Sequence, residues 1–352
     1  MQAISKEIIS WYQLHKRELP WRDTKDAYKI WISEIILQQT RVNQGLNYYL
    51  RFVKRFPDVR SLAEAGEEEV LRYWQGLGYY SRARNLHKAA HQIINEHNGI
   101  FPTELGEVIK LSGIGIYTAS AICSFAYNQP YAVVDGNVYR VLSRYFGIET
   151  SIDSSSGIKQ FAGLANEILD EKNAGLHNQA LMEFGALQCV PVSPDCNNCP
   201  LSSTCKAYEY RLVASLPVKE KKVKVKERFF NYLFITLNDN TFLQKRTNND
   251  IWKNLYEFPL IETEQLMTVD ELIAHNYFIK LFGGIKNVQI TNISRPVKHV
   301  LTHRIIYATF VTIEIRKANK ELQNFIQVPL SGIQNFAVSR LIDLFLQNSG
   351  KR

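Results

Sequence analysis

Over the first ~210 of the 352 residues, apolar positions recur at intervals of three and four, the spacing of helices that bury one face. Val138, Val141, Leu142 and Tyr145 keep i, i+3, i+4, i+7 spacing and predict one helix. Leu105, Val108 and Ile109 predict another, turned inward, with Thr103 after Pro102 as its N-cap. Ile32, Ile35, Ile36 and Gln39 predict a third, entered through Tyr28 and Lys29. A lysine-rich run at 217–228 has no amphipathic pattern and reads as a solvated linker. Beyond it the period changes. Residues 232–237 and 242–246 flank an Asn238-Asp239-Asn240 turn and predict a hairpin, and residues 305–315 are β-branched and aromatic, hence a strand. Thr268 with Glu271 predicts a capping box on a helix ending at Gly283-Gly284, and Ala337, Leu341, Leu344 and Phe345 predict a last helix. A helical domain followed by a smaller α+β domain is the expected architecture.

Composition adds limits. Hydrophobic residues are 45% of the chain, enough for a core in each of two domains. No apolar run approaches the ~20 residues of a membrane-spanning helix, and the start lacks the charged-then-apolar layout of a secretory signal, so an intracellular, cytoplasmic protein is expected. The net charge of +8 favours a polyanionic partner.

Four of the five cysteines, Cys189, Cys196, Cys199 and Cys205, fall in the pattern C-x6-C-x2-C-x5-C. A chain of this length does not need disulfide staples, so a metal site is the better reading. Zinc and an iron–sulfur cluster both accept four thiolates, so ligand count leaves the two open, and the spacing, with one C-x2-C pair, favours the cluster. The fifth, Cys123, reads as a small buried hydrophobe.

Three further features carry chemistry. Gly113 and Gly115 join two helical patterns through G-x-G, a turn that either serves packing alone or aims backbone N–H groups at a phosphate. Asp135 sits between an apolar run and a helix start, where it serves as an N-cap or as an anion kept ionised at neutral pH. Glu34 lies among Ile30, Trp31, Ile32, Ile35, Ile36 and Leu37, where desolvation pushes a carboxyl towards a proton donor unless a salt bridge holds it. Two carboxylates with separated pKa values are what cleavage of a glycosidic bond requires.

The motifs Leu19-Pro20-Trp21-Arg22, Ser33-Glu34-Ile35-Ile36-Leu37-Gln38-Gln39-Thr40, Gly76-Leu77-Gly78-Tyr79-Tyr80-Ser81-Arg82, the Gly113/Gly115 hairpin, Val134-Asp135-Gly136-Asn137 and the cysteine loop resemble, in this order, adenine DNA glycosylases of the MutY type. These belong to the helix-hairpin-helix, or endonuclease III, superfamily. The resemblance implies a mainly α helix-hairpin-helix glycosylase domain over 1–212 that includes a [4Fe–4S] loop at 189–205. A basic linker at 213–228 and a smaller α+β MutT-like (Nudix-fold) domain over 229–350, which reads 8-oxoguanine, would follow. It implies hydrolysis of the N-glycosidic bond of adenine mispaired with 8-oxoguanine or guanine in double-stranded DNA, by a monomer associated with the nucleoid. Bifunctional members carry a lysine nucleophile where Tyr117 stands, and tyrosine cannot form an imine, so a monofunctional enzyme is implied.

By the same resemblance Glu34 is the acid. Asp135 stabilises the sugar cation, electrostatically or through a transient adduct, and Tyr117 and Asn137 support the pair. Arg22 and Gln179 contact the flipped adenine. Gln39, Thr40, Leu77 and Tyr79 surround the lesion, with Tyr79 as wedge, and Gly113 and Gly115 hold phosphate. Ile251-Trp252-Lys253-Asn254-Leu255-Tyr256-Glu257-Phe258-Pro259 resembles the MutT-like reader, and residues 229–352 lack the acidic helix of a Nudix hydrolase. Two departures stand out. Ser112 replaces a usual proline, without removing an N–H donor. Leu301-Thr302-His303 replaces a Phe-Ser-His motif, so Thr302 keeps a hydroxyl for the lesion beside His303 while the aromatic is lost.

Overall fold

The computed structural model describes residues 2–220 and 225–350; residues 221–224 of the basic run lie outside the described residues. The chain forms two compact units, one of Met1–Glu64 with Asn85–Lys221, the other of Ala65–Arg84 with Lys222–Arg352.

The first unit is helical. Its central helix, Ala27–Leu37, starts because Asp26 accepts hydrogen bonds from the Tyr28 and Lys29 N–H groups at 3.0 and 3.4 Å, as an N-cap should. It is apolar nearly all round, and residues 27–28 and 30–36 are all buried, so Glu34 is carried into the interior by its neighbours. The helix stops at Leu37. Gln39, expected inside it, lies beyond the end with φ +59°. Helix Ile116–Tyr127 packs against it and is likewise buried from Thr118 to Phe125. Helix Gly136–Phe146 has the expected inward face, with Val138, Val141 and Leu142 all at most 2% exposed. The helix expected after Pro102 is one turn, Leu105–Val108. Glu104, not Thr103, occupies the cap position, and Ile109 is 40% exposed instead of inward. Helix Ala174–Leu187 packs on Gln2–His15, Gly136–Phe146 and Ile116–Tyr127.

The second unit is built on a mixed eight-stranded sheet. The long strand Lys226–Leu237 runs parallel to Arg304–Ile315 and antiparallel to Asn240–Lys245 and Leu260–Thr263. The expected hairpin closes at Leu237 opposite Asn240. The first strand begins inside the basic run, and Arg228, read as solvated, is 9% exposed, paired with Glu262 and Asp250. The capping box of Thr268 and Glu271 is present, but the helix it opens breaks at His275 into Val269–Ala274 and Asn276–Phe282. Helix Arg340–Asn348 closes the unit, with Ser339 as its cap and Ala337 ahead of it. Among the described residues no helix is long and apolar enough to cross a membrane.

Candidate active site

The first unit contains a cleft of about 720 Å³ whose wall includes Glu34, Tyr117, Asp135, Asn137, Arg22, Gln179, Gln39 and Thr40. Residues scattered over some 160 positions of sequence thus meet in one place. A larger cleft of about 990 Å³ in the second unit gathers basic side chains such as Lys286 and Arg316 and no paired carboxylates, so it is not the place for this chemistry.

Glu34 is 7% exposed. Burial pushes its carboxyl up to about 7. The Tyr117 phenol, donating to Oε2 at 3.1 Å, and the Arg22 charge oppose that rise, while the Asp135 charge adds to it. Asp135 is half-buried and caps helix Gly136–Phe146. Oδ1 accepts from the Asn137 and Val138 N–H groups, both at 2.8 Å, and Oδ2 accepts from Asn137 Nδ2 at 2.8 Å. The helix start was expected to keep this acid ionised; the donors at Val138 and Asn137 do pull Asp135 down, while burial is the largest influence and pushes it up. Burial raises both acids, and they differ in their donors, three at Asp135 and one at Glu34.

Asn137 is positioned in turn. Arg140 Nη2 donates to its Oδ1 at 2.9 Å, and the same guanidinium reaches the Gly185 carbonyl at 2.5 Å and the Cys189 carbonyl at 2.7 Å. Helix Ala174–Leu187 comes this close because residue 185 is glycine: a Cβ there would lie 2.7 Å from Asn137 Cβ. Arg22 does not stand alone in the cleft. It is paired with Glu183, Nη1 to Oε1 at 2.7 Å and Nη2 to Oε2 at 2.5 Å, and Arg17 joins the same carboxylate. Burial pushes the Glu183 carboxyl up, but the bonds from Arg22 and Arg17 outweigh it and hold it at about 2. Gln179 accepts from the Tyr12 hydroxyl at 3.2 Å. Glu183, Arg17 and Arg140 were not singled out from the sequence. The available signal was the spacing of Gln179 and Glu183, which puts both on one helix face.

Gly113 and Gly115 lie outside the cleft, exposed, in the turn before helix Ile116–Tyr127. Gly113 has φ +77°, and a Cβ there would meet Asn85 Cβ at 2.6 Å, so only glycine fits. The N–H that Ser112 supplies is used, donating to Gln92 Oε1 at 2.8 Å.

The remaining candidates belong to the second unit. Thr302 and His303 are the two exposed residues of the turn between strands Val297–Leu301 and Arg304–Ile315, while Leu301 is half-buried against the apolar core. The Tyr79 and Thr302 hydroxyls are hydrogen-bonded to each other, so the early segment and the turn come together. Tyr79 is 44% exposed, whereas Leu77 is buried.

The four cysteines of the loop line one small cavity with Arg144, whose Nη1 donates to Cys189 Sγ at 3.5 Å. Burial and, behind it, the other three thiols push Cys199 up to about 11. Four soft donors that repel one another as anions suit a cationic centre shared among them. Among the described residues no group of His, Cys, Asp or Glu is drawn together tightly enough for a single metal ion.

Residues 32–165 match the HhH-GPD superfamily of base excision DNA repair proteins, and residues 231–348 match the NUDIX domain. An adenine DNA glycosylase of Buchnera aphidicola subsp. Baizongia pistaciae is 38% identical over 88% of this chain and 86% of its own length. A thermostable thymine-DNA glycosylase structure aligns with TM-score 0.55 and 29% identity, covering 59% of this chain and 96% of that one. An endonuclease III–DNA complex aligns with TM-score 0.52 and 22% identity, over 60% of this chain and 95% of that one, which shows the fold alone.

Proposed function

We propose that this chain, which belongs to the adenine DNA glycosylase family, removes adenine mispaired with 8-oxoguanine or guanine by simple hydrolysis and leaves the strand uncut. It is a glycosylase of base excision repair acting on adenine. Double-stranded DNA, bound by a monomer in the cytoplasm, is its substrate in this reading. The observation that carries the mechanism is one cleft holding two carboxyls, the buried Glu34 and the half-buried Asp135, with unequal sets of donors.

The mispaired adenine is extruded from the stack into the cleft, as an enzyme acting on a base inside a duplex requires. Arg22 and Gln179 contact it there. Glu34, carrying a proton near neutrality, gives that proton to N7. The bond from the sugar to N9 then breaks with its electron pair leaving on the base, and a sugar cation develops. Asp135, fixed by Asn137 and the start of helix Gly136–Phe146, stabilises that cation. Water adds to the sugar carbon, and Glu34 takes up its proton, which restores the enzyme. Tyr117 offers no amine for an imine, which supports the monofunctional assignment.

Thr302 and His303, at the tip of an exposed turn, would read the opposite base, with Tyr79 as the wedge and Gln39, Thr40 and Leu77 around it. Gly113 and Gly115 would grip phosphate through backbone N–H groups. Cys189, Cys196, Cys199 and Cys205 would hold a [4Fe–4S] cluster, whose role when bound is to cross-link the 189–205 loop or to exchange an electron.

Single-turnover base release tests the reading, on duplexes carrying 8-oxoguanine opposite adenine, thymine opposite guanine, and 8-oxoguanine opposite cytosine. Adenine loss from the first alone, with strand breakage only after alkali, is expected. Thymine loss, or breakage without alkali, contradicts it.

A further inference from the structure

Glu183 is 1% exposed on helix Ala174–Leu187, and nothing in the hydrolysis above uses it. Its carboxylate binds two guanidinium groups, each through two nitrogens. Arg17 gives Nε to Oε1 at 2.8 Å, Nη2 to Oε2 at 2.5 Å and its backbone N–H to Oε1 at 3.0 Å; Arg22 adds its own two bonds. All three residues line the cleft that holds Glu34. Glu34 is surrounded by few charged or titratable groups: Tyr117 from helix Ile116–Tyr127, Asp135 from the cap of Gly136–Phe146, and Arg22 from the segment before Ala27–Leu37. Two further arginines, Arg41 and Arg140, line the cleft, and Arg140 is committed to Asn137 and three carbonyls.

An acid that must carry a proton near neutrality cannot work beside bare cations. Each uncompensated guanidinium in a desolvated cleft favours the carboxylate over the acid. Two arginines are nevertheless present, because Arg22 is needed in the wall and Arg17 closes the pair. We propose that Glu183 is a positioning residue for base release: by binding Arg17 and Arg22 together it offsets half of their charge beside Glu34 and fixes the Arg22 guanidinium against the cleft. Substrate binds a site whose positive charge is already reduced, so Glu34 keeps its proton until adenine arrives. The inference rests on Glu34 as the acid.

The test is the pH profile of single-turnover adenine release, in which the rate falls on the alkaline side as Glu34 loses its proton. The midpoint of that fall is the readout, whatever happens to the maximal rate. Glu183→Gln keeps the shape and a hydrogen-bonding amide but leaves two unbalanced arginines. Its midpoint is expected about one pH unit lower than the wild type's, the effect of a nearby opposite charge. Arg17→Gln removes one cation and leaves Glu183 on Arg22, and its midpoint is expected to rise. Glu183→Asp, which keeps the charge, is expected to restore the wild-type midpoint. Should Glu183→Gln fail to fold, as circular dichroism would reveal, the rise in Arg17→Gln decides. Midpoints that stay put in both variants, or move opposite to these directions, would make Glu183 only a structural clamp and overturn the inference. A Glu34→Gln enzyme that releases adenine normally would instead sink the assignment of Glu34 itself.

Discussion

The Tyr117 hydroxyl donates to Glu34 Oε2 across 3.1 Å, joining the first turn of helix Ile116–Tyr127 to the middle of helix Ala27–Leu37. The bond favours the ionised carboxyl, yet burial outweighs it and Glu34 still rises to about 7. One hydrogen bond therefore moderates how strong an acid the buried environment makes. Without it Glu34 would hold its proton too tightly to give it readily to a base.

Tyr117→Phe removes that moderation. A hydrogen bond to a charged acceptor contributes roughly 1.5–3 kcal/mol, which corresponds to about one to two pH units. Losing a donor that favours the anion raises the acid's pKa, so the alkaline fall in base release is expected to move to higher pH by that amount. An unmoved profile would show that the bond does not act on the proton donor.

A buried acid held near pH 7 also costs stability. An unfolded glutamate titrates at its ordinary value of 4.5, so the folded chain binds more protons between there and about 7. The cost is absent well below 4.5, grows through that window, and reaches about 3 kcal/mol above pH 7. Glu34→Gln is expected to raise the urea midpoint at pH 8, with a gain of up to about 3 kcal/mol that falls below about 1 kcal/mol by pH 5. The same variant is expected to lose adenine release by at least about a hundredfold while still binding duplex. Equal stability at both pH values would contradict the buried, neutral acid.

Arg140 serves four acceptors at once, the Asn137 side chain and the Gly136, Gly185 and Cys189 carbonyls. Arg140→Met keeps bulk but leaves those buried acceptors without their donor, and a loss of about 2–4 kcal/mol in urea unfolding is expected. Because Asn137 holds Asp135 Oδ2, the folded fraction is expected to release adenine more slowly. Full activity at reduced stability would detach Arg140 from the reaction.

Gly113→Ala meets two obstacles, a φ of +77° and the Asn85 side chain at 2.6 Å. Strain of about 1–3 kcal/mol is expected, together with weaker binding to undamaged duplex of any sequence, read by anisotropy. The double variant Asn85→Gly with Gly113→Ala is expected to recover only part, since it clears the space and not the dihedral. Unchanged affinity in a folded Gly113→Ala protein would remove the hairpin from the DNA contact.

Much of the fold was legible in short stretches of chain. The period of Val138, Val141 and Leu142, the capping box of Thr268 and Glu271, and the hairpin at Asn238-Asp239 are local matters, decided by residues within a few positions of one another. Local reasoning missed where burial overrides propensity. Thr103 is a better cap residue than Glu104, yet the turn begins one residue later. Arg228 sits in a run of charges and is nevertheless drawn into a strand, because Glu262 and Asp250 meet it there.

The candidate acids could be named from their neighbours in the chain, since a carboxyl inside an apolar helix and an aspartate before a helix start carry their environments with them. What surrounds those acids could not. The pairing of Glu183 with Arg17 and Arg22, and the reach of Arg140 from Asn137 to Cys189, join side chains on different helices. Which charges share a desolvated cleft follows from how the helices pack, and Coulomb interactions there depend on distance in space, to which separation along the chain is no guide.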